Sequence, residues 1–167
     1  MFHIHRAKVS DAPEILALQY IAYQSEAHLY GDPHLPPLQE TLAQLEATFD
    51  THIVLKAVID GVIVGSVRAC CADGICRIGR LMVHPQWQGR GIGTALMQAI
   101  EAAFSYASRY ELFTGARSEG NIRLYRRLGY TIAGTEAIND RVTIVHMSKP
   151  APDRQASELH GQGRMSL

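Results

Sequence analysis

The chain predicts an α+β domain: a mixed, mainly antiparallel sheet of about seven strands flanked by about four helices. Three observations carry that expectation. Two Asp-Gly dipeptides, Asp60-Gly61 and Asp73-Gly74, separate three strand-like runs at 53–59, 62–71 and 75–83. Asp-Gly is a two-residue hairpin turn, so these runs form an antiparallel meander. Next, Ile92, Ala95, Leu96, Ala99, Ile100, Ala103 and Phe104 recur at i, i+3, i+4 and i+7, which predicts a helix with one face on the sheet. Between meander and helix lies Val83-His-Pro-Gln-Trp-Gln-Gly-Arg-Gly-Ile-Gly-Thr94, a glycine-rich turn.

The remaining elements follow in order. Residues 2–9 alternate loosely and read as a first strand. Ser10-Asp11 as N-cap, Pro13 in the first turn and Glu14 as candidate capping-box carboxylate make a helix start, and Ile15, Leu18 and Ala22 give that helix its apolar stripe. Residues 31–37, with one glycine and three prolines, read as a loop. A second helix is expected over 38–49, from the spacing of Leu42, Leu45 and Phe49. Beyond the glycine turn, 110–115 reads as a short buried strand. Residues 119–128 read as a helix closed by Gly129, and 130–136 with 141–147 as a final hairpin. From Pro150 onward the pattern disappears, so the expected organisation is one domain over 1–149 and a polar, flexible tail over 150–167.

Composition narrows the partners. Lys plus Arg and Asp plus Glu both number 16, so no global field gathers nucleic acid or an anionic membrane. Thirteen of the basic residues are Arg, which suits local, bidentate phosphate contacts. No apolar run reaches bilayer length, and Met-Phe-His-Ile-His-Arg lacks a secretory apolar core. Cys70, Cys71 and Cys76 cluster around one turn and read as buried reduced thiols rather than a disulfide framework. A cytoplasmic protein without membrane or nucleic-acid partners is expected. His3 and His5 share a strand face but have no Cys or acidic neighbour in sequence, so no metal is expected.

The glycine turn is a cradle for an anion. Gly89, Gly91 and Gly93 let backbone N–H groups approach a ligand, and the unpaired donors of a new helix, at its positive dipole end, join them. A Walker loop would need a Lys that is missing. A dinucleotide fingerprint would need a third glycine where Thr94 or Leu96 stands, and a parallel rather than antiparallel setting. The pattern Gln/Arg-x-x-Gly-x-Gly/Ala does fit, through Gln88, Gly91 and Gly93.

With Leu81-Met-Val-His-Pro85 before the turn and Asn121-Ile-Arg-Leu-Tyr-Arg-Arg-Leu-Gly-Tyr130 after it, the chain resembles the GNAT superfamily of acyl-CoA-dependent N-acyltransferases. The resemblance covers about residues 3 to 148. It implies that the backbone of Gln88, Gly89, Arg90, Gly91, Ile92, Gly93 and Thr94 holds the pyrophosphate of acetyl-CoA, with the Arg90 side chain assisting. It implies that Met82 and Val83 pair with the pantetheine arm and that the Val83 N–H polarises the thioester carbonyl. Asn121 would bond the arm from the other side, and Tyr125 would protonate the departing thiolate. These types suit the chemistry: Tyr keeps its proton at neutral pH, with a reference pKa of about 10, and residues four apart share a helix face.

The pattern departs at one place. Many relatives carry a Glu on the strand before the cradle as base for the amine, and Gly79 stands at that position. Glu26, His28, His84 and His146 remain as candidates, and the base is unassigned. By the same resemblance the acceptor meets the first two helices, their loop and the last hairpin, roughly 20–37 and 137–141, with Tyr23, Glu26, His28 and Tyr30 making a polar, aromatic site. Glu26 and Asp32 are available to a cationic amine. A small amine, an amino acid or a peptide N-terminus would all suit; the family often dimerises, and a monomer or a homodimer is expected here. The expected function is acetyl transfer from acetyl-CoA to a primary amine by direct attack. A non-catalytic acyl-CoA-binding or sensing module is the alternative.

Overall fold

The computed structural model describes residues 1–152 of the 167, and the tail expected over 150–167 lies almost wholly outside them. Seven strands form one sheet: β1 (His3–Arg6), β2 (Ile53–Ile59), β3 (Val62–Ala72), β4 (Ile75–Val83), β5 (Arg109–Gly115), β6 (Thr131–Ala137) and β7 (Thr143–Pro150). Their order is β1-β2-β3-β4-β5-β7-β6, and only β4 and β5 run parallel. Both Asp-Gly turns fall where the sequence puts them.

Among the described residues six α-helices flank the sheet: α1 (Ala12–Ala22), α2 (Gln24–Tyr30), α3 (Pro36–Gln39), α4 (Leu42–Thr48), α5 (Ile92–Ala103) and α6 (Glu119–Arg127). On one face α5 buries Ile92, Leu96, Met97 and Ile100 against Leu55, Val64, Val67 and Ala69 of the meander. Each such side chain contributes about 1.5–3 kcal/mol on burial. On the other face α1 and α4 pack Ile15, Leu18 and Leu45 against Val54, Ile63 and Met82. Residues 54 and 55 therefore face opposite layers, as the two-residue strand period requires.

Five expectations change. The first strand is shorter than 2–9. Its pairing ends at Ala7, whose N–H donates to Val54 O, and a 3-10 turn over Val9–Asp11 follows, closed by Asp11 accepting from the Lys8 N–H at 2.8 Å. Glu14 is no capping residue, for its carboxylate accepts from the Ile63 N–H at 3.0 Å. The first helix bends at Tyr23 (φ −87°, ψ 1°), and α2 turns Ala27 and Tyr30 inward against Leu35, Val142 and Ile144. The second helix is two pieces, the first starting inside the expected loop, because Pro36 and Pro37 occupy its opening turn, where their missing N–H groups are not needed. Glu40 is extended (φ −63°, ψ 128°), which ends α3, and Thr41 starts α4 with a capping box, Oγ1 accepting from the Gln44 N–H at 3.2 Å. The strand expected to end at 147 runs on through Pro150, and the Ala151 N–H donates to Ser108 O.

Candidate active site

The site begins where the sheet opens. β4 and β5 pair only through Ile75–Arg77 and Arg109–Glu111, and then diverge. On its other edge β4 stays paired with β3, with the His84 N–H donating to Val64 O at 2.7 Å. Strand alternation turns the Met82 N–H toward β3 as well, and directs the Val83 N–H and C=O into the gap. Gln88 Nε2 donates to Val83 O at 3.3 Å, leaving the N–H for a ligand. Met82 thus differs from its expected part: its side chain is buried against α1 and its backbone faces β3.

The glycine turn sits at the mouth of the gap. Gly89 (φ +77°) and Gly91 (φ +81°) are left-handed, and nothing lies within 4 Å of where their Cβ atoms would stand. The strain of positive φ, rather than crowding by the chain itself, demands glycine here. Gly91 is the N-cap of α5 without a side-chain cap, so the first-turn amides at Ile92, Gly93 and Thr94 face outward unpaired by any cap. Gly93 is different, since a Cβ there would meet Leu124 at 3.4 Å in ordinary contact. The Ile92 side chain is buried in the core, so only its backbone is available. Gln88, Gly89, Arg90 and Gly91 are exposed, and the Arg90 guanidinium stacks 4.7 Å above the Trp87 ring, which holds it beside the turn.

Behind the gap lies a cavity of about 460 Å³. Asn121 and Tyr125, one helical turn apart on α6, both line it. Asn121 Nδ2 donates weakly to Thr114 Oγ1 at 3.4 Å. The Tyr125 ring packs edge-on to Tyr130, with centroids 6.0 Å apart. Burial pushes the Tyr125 hydroxyl far above its ordinary pKa, with Tyr23 and Glu26 adding to the effect, so it stays protonated across the working pH range.

Tyr23, Glu26 and Tyr30 also line the cavity. Glu26 and Tyr30 belong to a chain of hydrogen bonds running to the start of α6: Ser118 Oγ lies 2.6 Å from Glu26 Oε2 and 2.9 Å from Tyr30 Oη. A carboxylate only accepts, so Ser118 donates to Glu26 and Tyr30 donates to Ser118. Tyr30 Oη in turn accepts from the Arg117 N–H at 2.9 Å. Tyr30 therefore anchors the β5–α6 loop as well as shaping the wall.

The other candidates lie elsewhere. His28 is exposed on α2 and outside the cavity. His146 is exposed and pairs with Glu136 at 2.9 Å. His84 uses Nδ1 to accept from the Gln86 N–H at 3.1 Å, as the cap of the 3-10 turn Pro85–Trp87. Asp32 accepts from the His34 N–H at 2.9 Å. Among the described residues no cluster of three His, Cys, Asp or Glu is arranged to hold a metal, and Cys70, Cys71 and Cys76 are free thiols.

Sequence reasoning missed the far end of the cavity, lined by His52, Arg68, Arg77 and Arg80. Arg68 forks onto Glu40 with two bonds of 3.0 Å, and Gln19 Nε2 reaches the same carboxylate at 3.1 Å. Burial alone would raise the Glu40 pKa, but these hydrogen bonds and the charges of Arg68 and Arg80 hold it below the ordinary carboxylate value. Two arginines inside apolar strands were the available signal, since a guanidinium there needs a partner or a ligand.

The chain is similar to known proteins in sequence and in fold. A model of the acetyltransferase (GNAT) domain family matches residues 50–132. YqkA of Bacillus subtilis, a UPF0157 protein, is 30% identical over 124 residues, covering 74% of this chain and 36% of YqkA. The uncharacterized N-acetyltransferase MJ1207 of Methanocaldococcus jannaschii is 43% identical over 58 residues, covering 34% of this chain and 26% of MJ1207. The chain thus spans about a third or less of the length of these curated relatives. In fold it is similar to YncA of Salmonella typhimurium, solved with its cofactor acetyl-CoA: TM-score 0.70, 19% identity, covering 92% of this chain and 96% of that one.

Proposed function

This chain belongs to the GNAT acetyltransferase family, and from that premise we propose that it moves the acetyl group of acetyl-CoA onto a primary amine by direct attack in a ternary complex. The observation that carries the reading is the gap between β4 and β5. Tyr125 and Asn121 line the cavity that opens there, and the Val83 backbone and the glycine turn follow directly at the end of β4, which supports the reading.

The residues divide the work. First-turn amides of α5, with Arg90, hold the pyrophosphate, and open space over Gly89 and Gly91 fits a group lying close to the backbone. The neutral amine attacks the thioester carbon, and the Val83 N–H donates to the oxygen as negative charge gathers there. As the C–S bond breaks, Tyr125 passes its proton to the sulfur, and solvent later restores it. The proton lost by the amine goes to Glu26 through water. Of the four base candidates, Glu26 alone lines the cavity, and Ser118 holds one of its oxygens. No helix among the described residues is long and apolar enough to cross a membrane, which is compatible with work in the cytoplasm.

The strand position occupied by Gly79 offers no carboxylate, which favours a second reading, a module that binds acyl-CoA without turnover. Release of free thiol from acetyl-CoA, measured across a panel of amines beside calorimetric titration with CoA, separates the two. Amine-dependent thiol release is expected. Tight CoA binding with no release for any amine would leave the sensing module.

A further inference from the structure

The far end of the cavity is lined by three guanidiniums, those of Arg68, Arg77 and Arg80. Glu40 gives one oxygen to each fork of Arg68, and both bonds are short. Arg80 is left with the margin of the same carboxylate: its Nη2 lies 3.9 Å from Glu40 Oε2, beyond hydrogen-bond reach. Its Nε is buried without any hydrogen-bond partner, although the side chain is only 21% exposed. Two guanidiniums thus share one carboxylate. The other charged groups facing this space supply Arg80 with no acceptor: Arg77 adds a cation 3.8 Å from Glu111, and Glu26, though it keeps its charge, is bonded to Ser118. His52 contributes little charge, since burial and Arg68 hold its pKa below the ordinary value.

The backbone is bent to place Arg80 there. Arg80 has φ +51° at a bulge, where the β3–β4 register skips from Ser66–Met82 to Arg68–Gly79. A long side chain rarely takes this conformation, and strain of this kind collects at functional sites. The bulge turns a guanidinium into the cavity beside Gly79, whose own Cβ position is open space. A buried donor without an acceptor is costly unless a ligand supplies one, and a guanidinium edge matches a carboxylate.

We propose that Arg80, backed by Arg68, binds a carboxylate carried by the acceptor, so that the acceptor is a small amine of the free amino-acid type and not a peptide N-terminus. This rests on the acetyl-transfer reading, because a peptide N-terminus offers an amide carbonyl where a free amino acid offers a charge.

Calorimetry on the full chain saturated with CoA tests it without turnover, and it fills the pyrophosphate cradle first. The probes are N-acetyl amino acids and their amides, compared in pairs. At least one acid should bind about tenfold or more tightly than its amide, the scale of one charged hydrogen-bond pair. That advantage should vanish in Arg80→Asn, a residue that tolerates positive φ, while CoA affinity is unchanged. Equal affinity for acid and amide throughout the panel would overturn the proposal, even if the variant failed to fold. So would an acid preference that survives Arg80→Asn. Arg80-dependent binding of acids without amine-dependent thiol release would sink the catalytic reading and keep the anion site. Equal turnover of amino acids and their amides would do the reverse.

Discussion

The two ends of this site are built in opposite ways. The cradle end comes from one uninterrupted stretch, in which strand, turn and helix start follow each other from Val83 to Thr94. Its ligand-facing groups are backbone amides, and its side chains matter mostly by being absent. The acceptor end is assembled from side chains that meet across the fold. Glu26 meets Ser118 over 92 residues, Tyr30 meets the same serine over 88, and Arg141 reaches Gly31 O over 110. On the proposed reading, a backbone cradle recognises the part of the donor that needs no side-chain specificity, its pyrophosphate. Side chains recruited from distant elements can be exchanged one at a time, so that end is where specificity can vary without disturbing the donor.

Substitutions at the cradle test the first half of this contrast and should have the largest effect. Gly91→Val places a β-branched residue at φ +81°. The strain is about 1–2 kcal/mol, modest for the fold. The new side chain points where the pyrophosphate would lie, so acetyl-CoA affinity should fall at least about 100-fold, the cost of roughly two charge-assisted hydrogen bonds. Calorimetry beside thermal melting reads both. Full affinity in a folded Gly91→Val protein would remove the cradle from the account.

At the junction of the two ends, Tyr125→Phe should lower kcat on the order of 100-fold while acetyl-CoA binding stays within about threefold, because the proton is needed only in the transition state. Glu26→Gln should lower kcat by a comparable or smaller factor, about 10- to 100-fold, again with little change in CoA binding. Single-turnover kinetics with a reactive amine make the comparison. An unchanged chemical step in Tyr125→Phe would show that solvent protonates the thiolate.

The same contrast explains what could be read before the fold was known. Both Asp-Gly turns, α5 and the cradle were legible because each is local: turn chemistry or a 3.6-residue period suffices. Asn121 and Tyr125 were singled out by the family resemblance, and their four-residue spacing on one short helix lets both line the cavity. The break at Glu40 was not, for its cause is distant. Glu40 leaves the helix to meet Arg68 on β3 and Arg80 on β4, a distant cause that the local helix-start spacing Thr41-x-x-Gln44 marks but does not explain. Nor did local pattern show that β7 lies between β5 and β6, or that Met82 turns its backbone to β3 while Val83 turns to the gap. Those follow from sheet order and bulge position, which are tertiary facts.

A change at Glu40 probes the acceptor end through stability. With Arg68 and Glu40 side chains only 15% and 10% exposed, Glu40→Gln leaves two guanidiniums facing each other and should cost about 3 kcal/mol at neutral pH. The sign of the pH dependence follows from the depressed pKa. Stabilisation by the carboxylate is complete above its ordinary unfolded value, about 4.3, and is lost as pH falls through the lower folded value. The gap between wild type and variant in urea midpoint should therefore be widest near pH 7 and close progressively below about pH 4. A gap that widened in acid would mean that the carboxylate is not held ionised by the arginines.

The smallest effects should come from the histidines that sequence reasoning placed among the base candidates. His28 is exposed on α2, and His146 stands on the outer hairpin with its side chain 47% exposed, paired with Glu136. Neither lines the cavity, so His28→Ala and His146→Ala should each keep kcat/KM within about twofold, the range of surface substitutions. The pairing of His146 with Glu136 does not alter this, since exposed ion pairs contribute little. Steady-state kinetics on both variants, with Glu26→Gln assayed alongside, would locate the base. A loss of tenfold or more in His28→Ala would mean that α2 turns its outer face to the substrate on binding. The acceptor end would then be a moving wall, and its contrast with the rigid cradle would be one of dynamics as well as construction.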